Sequence, residues 1–184
     1  MAAARELLQQ RPYREVNVND LMAMTTLSRP SFYQYFPDMP QVVVRVMDEV
    51  GAELLALSDV WLKGSGDPVL EAREGLLGLA LAYSRNRALL QAAAAAAATD
   101  PAMELAYGNL LGRFVEATTA RIKADKARGM VHDLDPAAVA QALVLMTERV
   151  LLDRLGRPRA GRPEAVVEPL LQVWMRTLYL ISPT

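Results

Sequence analysis

Apolar residues along this chain recur at intervals of three and four, the spacing that covers one face of an α-helix. They do not sustain the strict alternation of a half-buried strand. The valines at 42–44 fall inside a longer helical pattern. Helix boundaries are marked as well as helix faces. Asp67-Pro68, Asp100-Pro101 and Asp135-Pro136 each place a capping carboxylate before a proline whose missing N–H costs nothing at the first helical position. Each pair opens a helix. Gly66 and Gly129 are expected to end the preceding helices, because glycine tolerates the positive φ found at helix termini. The pattern predicts an all-α chain of about nine helices, near residues 2–10, 18–25, 29–34, 39–62, 68–84, 87–98, 101–128, 136–155 and 163–181. The first three are short and closely spaced and the later ones long. This predicts a small N-terminal module over residues 1–45 and a larger helical bundle over 46–184. The alanines at 92–98 predict a helix packed tightly against its neighbours. Pro169 removes a hydrogen bond to Ala165 and predicts a kink in the last helix.

The N-terminal module holds the densest group of chemically distinctive residues. Val16, Val18 and Leu21 are spaced to bury one side of a helix, Thr25 and Thr26 form a connector, and Ser28 caps a short helix with Arg29, Pro30 and Ser31 in its first turn. In the stretch LSRPSFYQYF, beginning at Leu27, four aromatic rings fill five positions of a chain that is only 6% aromatic. Helix, tight turn and second helix with polar donors at its front make a helix-turn-helix, a unit that enters a DNA major groove. In this reading Phe32 and Phe36 face inward. Tyr33 and Tyr35 rest apolar bodies on that core and present hydroxyls to phosphates, while Arg29, Ser31 and Gln34 read base edges. Thr25, Thr26, Ser28 and Pro30, from the connector and the helix start, complete the predicted DNA-facing set. A blander reading stays open here, with all four rings in the core and the arginine solvated.

The totals narrow the function classes. With 184 residues, 52% hydrophobic and 22% charged, the chain has the composition of an ordinary soluble globular protein. No run of about 18 uncharged apolar residues is present, and the start MAAARELL lacks signal-peptide architecture, so the expected setting is cytoplasmic, without a membrane. Zero cysteines exclude disulfides, thiolate zinc sites and cysteine nucleophiles. The single histidine, His132, has no metal-ligand spacing or catalytic grouping around it, and no phosphate-cradling glycine loop occurs. An enzyme, a metal and a cofactor are therefore not expected. Glu148 and Arg149 interrupt an apolar helix, where a catalytic carboxylate is one reading and a buried or interfacial ion pair explains them as well, and more cheaply. Net charge is −1, with five basic and four acidic residues in the first 45, so DNA binding must rest on local placement of donors.

The run VNDLMAMTTLSRPSFYQYFPD, starting at Val18, resembles the DNA-binding signature of the TetR family, in which a Phe-Tyr-x-Tyr-Phe run leads into helix four. MTERVLLDRLG, starting at Met146, and LLQVWMRTLY, starting at Leu170, resemble the last two helices of that family's ethionamide-response repressor branch, so the likeness spans the chain. Three departures stand out. Thr26 occupies a turn position where the family has glycine, Met39 replaces a lysine that contacts phosphate, and the chain begins inside helix one without a preceding basic arm. Each lost phosphate contact weakens DNA binding and flattens its salt dependence.

The resemblance also implies a long apolar ligand cavity in the C-terminal bundle. Leu79, Tyr83, Phe114, Thr118, Thr147 and Trp174 fall where that branch lines its cavity. Val144 and Thr147 replace two asparagines, and Ala117 an aromatic residue, which implies an apolar pocket with different hydrogen bonding. Spacing alone adds the stripe of Tyr107, Leu111, Phe114, Thr118 and Ile122, and the pair of Trp174 with Leu178. For each residue taken singly, core packing explains its character as well as ligand contact does. The branch further implies a homodimer through the last two helices. Arg157, Arg159 and Arg162, between those helices, read as a solvated loop. The expected function is a ligand-responsive repressor that binds double-stranded DNA at a palindromic operator and is released by a small hydrophobic molecule. The rival is a helical carrier or adaptor that has lost DNA binding.

Overall fold

The computed structural model describes residues 1–11, 13–156 and 161–179. Arg157, Arg159 and the expected end of the last helix at 180–181 lie outside the described residues. Within them are α1 (Ala2–Gln10), a 3₁₀ turn (Tyr13–Glu15), α2 (Val18–Ala23), α3 (Arg29–Tyr35), α4 (Met39–Leu62), α5 (Pro68–Arg85), α6 (Arg87–Ala97), α7 (Pro101–Ala127), α8 (Pro136–Leu155) and α9 (Glu164–Leu178). These are nine α-helices and no strand among the described residues. An isolated antiparallel bridge joins Val131 to Tyr179. No helix of the described residues is long and apolar enough to cross a membrane.

The three Asp-Pro pairs act as helix starts. Asp67 Oδ1 accepts from the N–H groups of Val69 and Leu70, Asp100 Oδ1 from Ala102 and Met103, and Asp135 Oδ1 from Ala137 and Ala138, at 2.7–3.3 Å. Gly129 ends α7 at φ 70°. Gly66 does not end α4. That helix stops at Leu62, and the Gly66 N–H donates to Glu71 Oε1 at 2.6 Å. Pro169 sits inside α9 on its exposed side.

The described chain forms two compact units, residues 1–52 with 86–110, and residues 53–85 with 111 onward. In the first, α1 packs on α2 and α6, and α2 on α3. Ala4, Leu7 and Leu8 of α1 and Leu89, Leu90, Ala93 and Ala96 of α6 are all buried, so the alanine run gives α6 a face that a neighbouring helix can approach closely. Polar contacts hold both ends of α6. Arg5 Nη2 donates to Asn86 Oδ1 at 2.7 Å, and Tyr13 OH to Asp100 Oδ2 at 3.3 Å. Burial, then Asp100 and Asp38, raise the Tyr13 phenol above its ordinary pKa.

In the second unit, α5 packs on α8 and α9, which also pack on each other. A buried ionic network lies at its centre. Arg121, 3% exposed, donates from Nε to Asp125 Oδ2 at 2.8 Å and from Nη1 to the carbonyls of Trp61 and Gly64, the latter at 2.8 Å. Its Nη2 stands 3.5 Å from Glu71 Oε2, an ion pair without hydrogen-bond geometry. Asp125, fully buried, also accepts from Arg128 and from the Tyr179 hydroxyl. Trp61 and Gly64 flank the end of α4, so Arg121 supplies partners for carbonyls that helix termination leaves open. A side chain at Gly64 would have its Cβ 2.2 Å from the Glu71 carboxylate and 2.3 Å from the Val60 carbonyl, so the loop closes only with glycine there.

Burial opposes ionisation of Asp125, but hydrogen bonds from Arg121, Tyr179 and Arg128 outweigh it and hold the carboxyl below the usual carboxylate range. Replacing Arg121 with Met should cost about 3–5 kcal/mol of stability, because Asp125 is left charged and buried. The folded pKa of Asp125 lies below its unfolded value of about 3.9, so its contribution is present above about pH 4 and fades as pH falls through the folded value. The melting-temperature gap between wild type and Asp125→Asn should therefore be widest at neutral pH and close in acid. Thermal melts of both proteins across that range check this.

Candidate DNA-facing helix and effector residues

The first candidate surface is built by α2, the turn after it and α3. Asn17 starts α2 with a reciprocal cap. Its side chain accepts from the N–H groups of Asn19 (2.9 Å) and Asp20 (3.2 Å), while Asp20 Oδ2 accepts from the Asn17 N–H (3.1 Å). Leu21 and the preceding Val16 are buried, and Val18 is partly so. The turn dispenses with a left-handed residue, since no non-glycine residue among those described has positive φ. Met24 closes α2 at φ −93°, and the Thr25 hydroxyl donates to Met22 O and accepts from Leu27 N–H, both at 3.3 Å. Thr25 is thus engaged within the turn, and Thr26 is exposed beside it. The Thr25 hydroxyl stitches the turn closed, and Thr26 fits it without a left-handed φ.

Ser28 caps α3 by accepting from the Ser31 N–H at 3.3 Å, and the two hydroxyl oxygens lie 2.9 Å apart. Pro30 fits in the first turn, where no N–H is needed. Phe32 is buried, with Phe36 at 5.8 Å and Tyr33 edge-on at 5.2 Å between ring centroids. Tyr33 is 48% and Tyr35 73% exposed, which removes the reading with all four rings in the core. Arg29 and Gln34 are exposed with them. Arg29 Nη2 donates to the Tyr33 oxygen at 3.3 Å, and its guanidinium carbon lies 5.8 Å from that ring's centroid. The Tyr33 oxygen therefore accepts from Arg29 and keeps its own proton to donate. Met39, at the position where the family has lysine, is buried, and Asp38 caps α4 by accepting from the Gln41 N–H at 3.0 Å.

Ten of the eleven predicted effector residues belong to the second compact unit; Tyr107, buried, belongs to the first. Tyr83, Thr118, Val144, Thr147, Trp174 and Leu178 are buried, whereas Leu79, Leu111, Phe114 and Ala117 are partly exposed. Trp174 and Thr147 are joined directly, with the indole N–H donating to Thr147 Oγ1 at 2.8 Å. Burial, and then the nearby Glu148, push the Tyr83 phenol well above its ordinary pKa, so it stays protonated. Glu148 is partly exposed and Arg149 exposed. Arg162 pairs with Glu164 at 3.7 Å.

Sequence reasoning passed over Trp61, Glu71, Arg121, Asp125 and Tyr179. Trp61 meets Trp174 edge-on, with centroids 5.2 Å apart and planes at 89°, and Arg121 lies 5.2 Å from the Trp61 ring centroid. Two signals were available. Trp61 is one of only two tryptophans in the chain, and Arg121 and Asp125 have the i,i+4 spacing of a helical ion pair.

Residues 1–46 match the family described as bacterial regulatory proteins, tetR family, and residues 72–180 match the C-terminal domain of the transcriptional regulator EthR. The chain is 29% identical over 186 residues to the HTH-type transcriptional regulator EthR of Mycolicibacterium smegmatis, covering 100% of this chain and 86% of that protein. It is 29% identical over 183 residues to the protein of the same name in Mycobacterium tuberculosis, covering 97% and 85%. Among solved structures, a TetR-family transcriptional regulator from Syntrophomonas wolfei superposes with a TM-score of 0.79 at 14% identity, over 94% of this chain and 89% of that one, a likeness of fold. With a helix-turn-helix at one end and an EthR-type domain over more than half its length, the chain belongs to the TetR family and is a DNA-binding, ligand-responsive regulator of transcription.

Proposed function

We propose that this regulator represses transcription from a palindromic operator as a homodimer and is released by a small, neutral, hydrophobic effector. The observation that carries the DNA-reading part is the exposure of Arg29, Tyr33, Gln34 and Tyr35 on a helix anchored by buried Phe32. Residues 1–45 serve DNA, with the Tyr33 and Tyr35 hydroxyls on phosphates and Arg29, Ser31 and Gln34 on base edges. Residues 46–184 serve the effector and the partner copy. Two-fold symmetry would place α3 and its copy about 34 Å apart, one turn of DNA. Leu145 on α8 and Val173 on α9 are 42% and 43% exposed, which supports pairing through those helices.

The effector reading draws on the character of the residues assigned to it. None of the ten in the second compact unit carries a charge, and the protonated Tyr83 phenol, the Trp174 indole N–H and the Thr118 and Thr147 hydroxyls supply the polar groups. Such a set suits an apolar molecule bearing a hydrogen-bond acceptor, and it provides no cation for a carboxylate. Effector binding favours a conformation in which the two copies of α3 no longer match successive grooves, with α4 as the transmitter. By linkage, DNA weakens effector binding by the same factor.

Fluorescence-anisotropy titration against a palindromic fragment from upstream of the gene tests the DNA reading. Affinity should fall with salt at a logarithmic slope of about −0.9 per neutralised phosphate. Tyr33→Phe should weaken all operators alike, and Arg29→Ala should lower discrimination between them by about 1–3 kcal/mol. Unchanged binding in both variants would remove α3 from the groove. Light scattering tests the pairing surface: Leu145→Glu combined with Val173→Glu should yield a folded monomer, and a persistent dimer would place the interface elsewhere.

A further inference from the structure

We infer that Arg121 is a positioning residue of the regulatory switch, tying the end of α4 to the indole of Trp174 through Trp61. Its regulatory meaning rests on the proposal above that Trp174 and Thr147 meet the effector. The mechanical linkage stands on contacts within one compact unit.

The chain of contacts is continuous. Thr147 accepts the Trp174 indole N–H at 2.8 Å, and Trp174 meets the Trp61 ring edge-on at 5.2 Å. Trp61 belongs to the last turn of α4, and Arg121 holds it twice. The guanidinium lies 5.2 Å from the centre of its ring, and Nη1 donates to its carbonyl oxygen. The same Nη1 donates to the Gly64 carbonyl, and Nε is committed to Asp125. All of these groups are buried apart from the Gly64 loop. Packed rings pass a displacement on to the neighbours they touch. An acceptor on the effector that draws the Trp174 N–H away from Thr147 turns that indole against Trp61. Trp61 then moves its ring and its carbonyl together relative to the fixed guanidinium. The cap on α4 must loosen, since a planar guanidinium with one edge held by Asp125 cannot follow both.

The destination of the signal is what makes this linkage regulatory. α4 is one helix from Met39 to Leu62, and only three residues separate its start from the end of α3 at Tyr35. The elements that Arg121 clamps are thus the far end of the helix that follows the proposed DNA reader. The orphaned polar atoms of the described residues cluster here as well. Trp61 Nε1, Glu71 Oε2 and Arg121 Nη2 are buried without hydrogen-bond geometry, the last two facing each other at 3.5 Å as an ion pair, so the clamp is held by fewer hydrogen bonds than its polar groups offer.

Hydrogen exchange on the full-length protein, read by mass spectrometry on peptides covering residues 61–66, tests the linkage without DNA or effector. Its outcome is therefore independent of the operator titration. Arg121→Lys keeps the charge but not the planar fork, and it should speed exchange there by about tenfold. Trp174→Phe and Thr147→Val should speed it too, although neither residue touches α4's last carbonyls. Combined with Arg121→Lys, their effects should fall short of multiplying, as expected for parts of one network. Incorporation of 5-fluorotryptophan adds a signature, because two tryptophans give two ¹⁹F signals. Thr147→Val should shift the Trp61 signal as well as that of Trp174. The inference is overturned if Trp174→Phe and Thr147→Val leave exchange at 61–66 within about twofold of wild type, if the effects multiply independently, or if the Trp61 signal ignores Thr147→Val.

Discussion

The buried pair of Arg121 and Asp125 is the constraint around which the second compact unit is arranged. Two charges withdrawn from water are tolerated only when nearly every donor and lone pair finds a partner. Here that demand recruits four stretches of chain: the end of α4 and the loop after it, Glu71 of α5, Arg128 at the end of α7, and Tyr179 just beyond α9. Other features follow. Gly64 must lack a side chain because its carbonyl has to turn toward Arg121 beside the Glu71 carboxylate. The exit from α7 is fixed at the same place, where the Asp125 carbonyl accepts the Met130 N–H at 3.0 Å around left-handed Gly129. The segment after that turn then bonds to the end of α9, with His132 N–H donating to Leu178 O at 3.0 Å.

How legible each part was in the sequence follows from the range of the forces involved. Asp67, Asp100 and Asp135 act on N–H groups two and three residues away, and a local rule identifies each of them. The same holds for Ser28 and for the capping pair of Asn17 and Asp20, whose signal lay in the sequence although it had not been singled out. Gly66 shows where a local rule fails. A glycine before an Asp-Pro start looks like a helix end, but α4 ends four residues earlier, where its carbonyls are taken by an arginine some sixty positions on. No pattern within one helix reports such a partner. The alanine run was legible as a helix made for close packing, whereas the identity of α1 as its neighbour was not.

The two candidate sites differ for the same reason. The DNA-facing surface arises within twenty residues, from an anchored Phe32 and from bonds between Ser28 and Ser31 and between Arg29 and Tyr33, all three or four positions apart. A motif can encode that. The residues proposed for the effector come from α5, α7, α8 and α9, and the bond that joins two of them spans 27 positions. Resemblance to a family could name the positions, but the Trp61 ring beside Trp174 depends on how α4 approaches α9, which spacing does not convey.

Asparagine and threonine differ in what they leave open once a tryptophan has bonded to them, and on the proposed reading this bears on Val144 and Thr147. Thr147 has one donor and two lone pairs, and the indole takes one lone pair, so the hydroxyl proton remains to be given away. Val144 offers nothing polar. Tyr83, kept protonated by burial and by Glu148, is a second donor. The polar character of this group of residues is therefore weighted toward donation, and the effector proposed for it would bring acceptors of its own. An effector rich in donors would leave both itself and these hydroxyls unpaired in an apolar setting, at about 1–3 kcal/mol for each buried group. On the proposed reading, Val144 and Thr147 thus set the chemistry the effector must carry, within the bundle to which α5, α8 and α9 contribute.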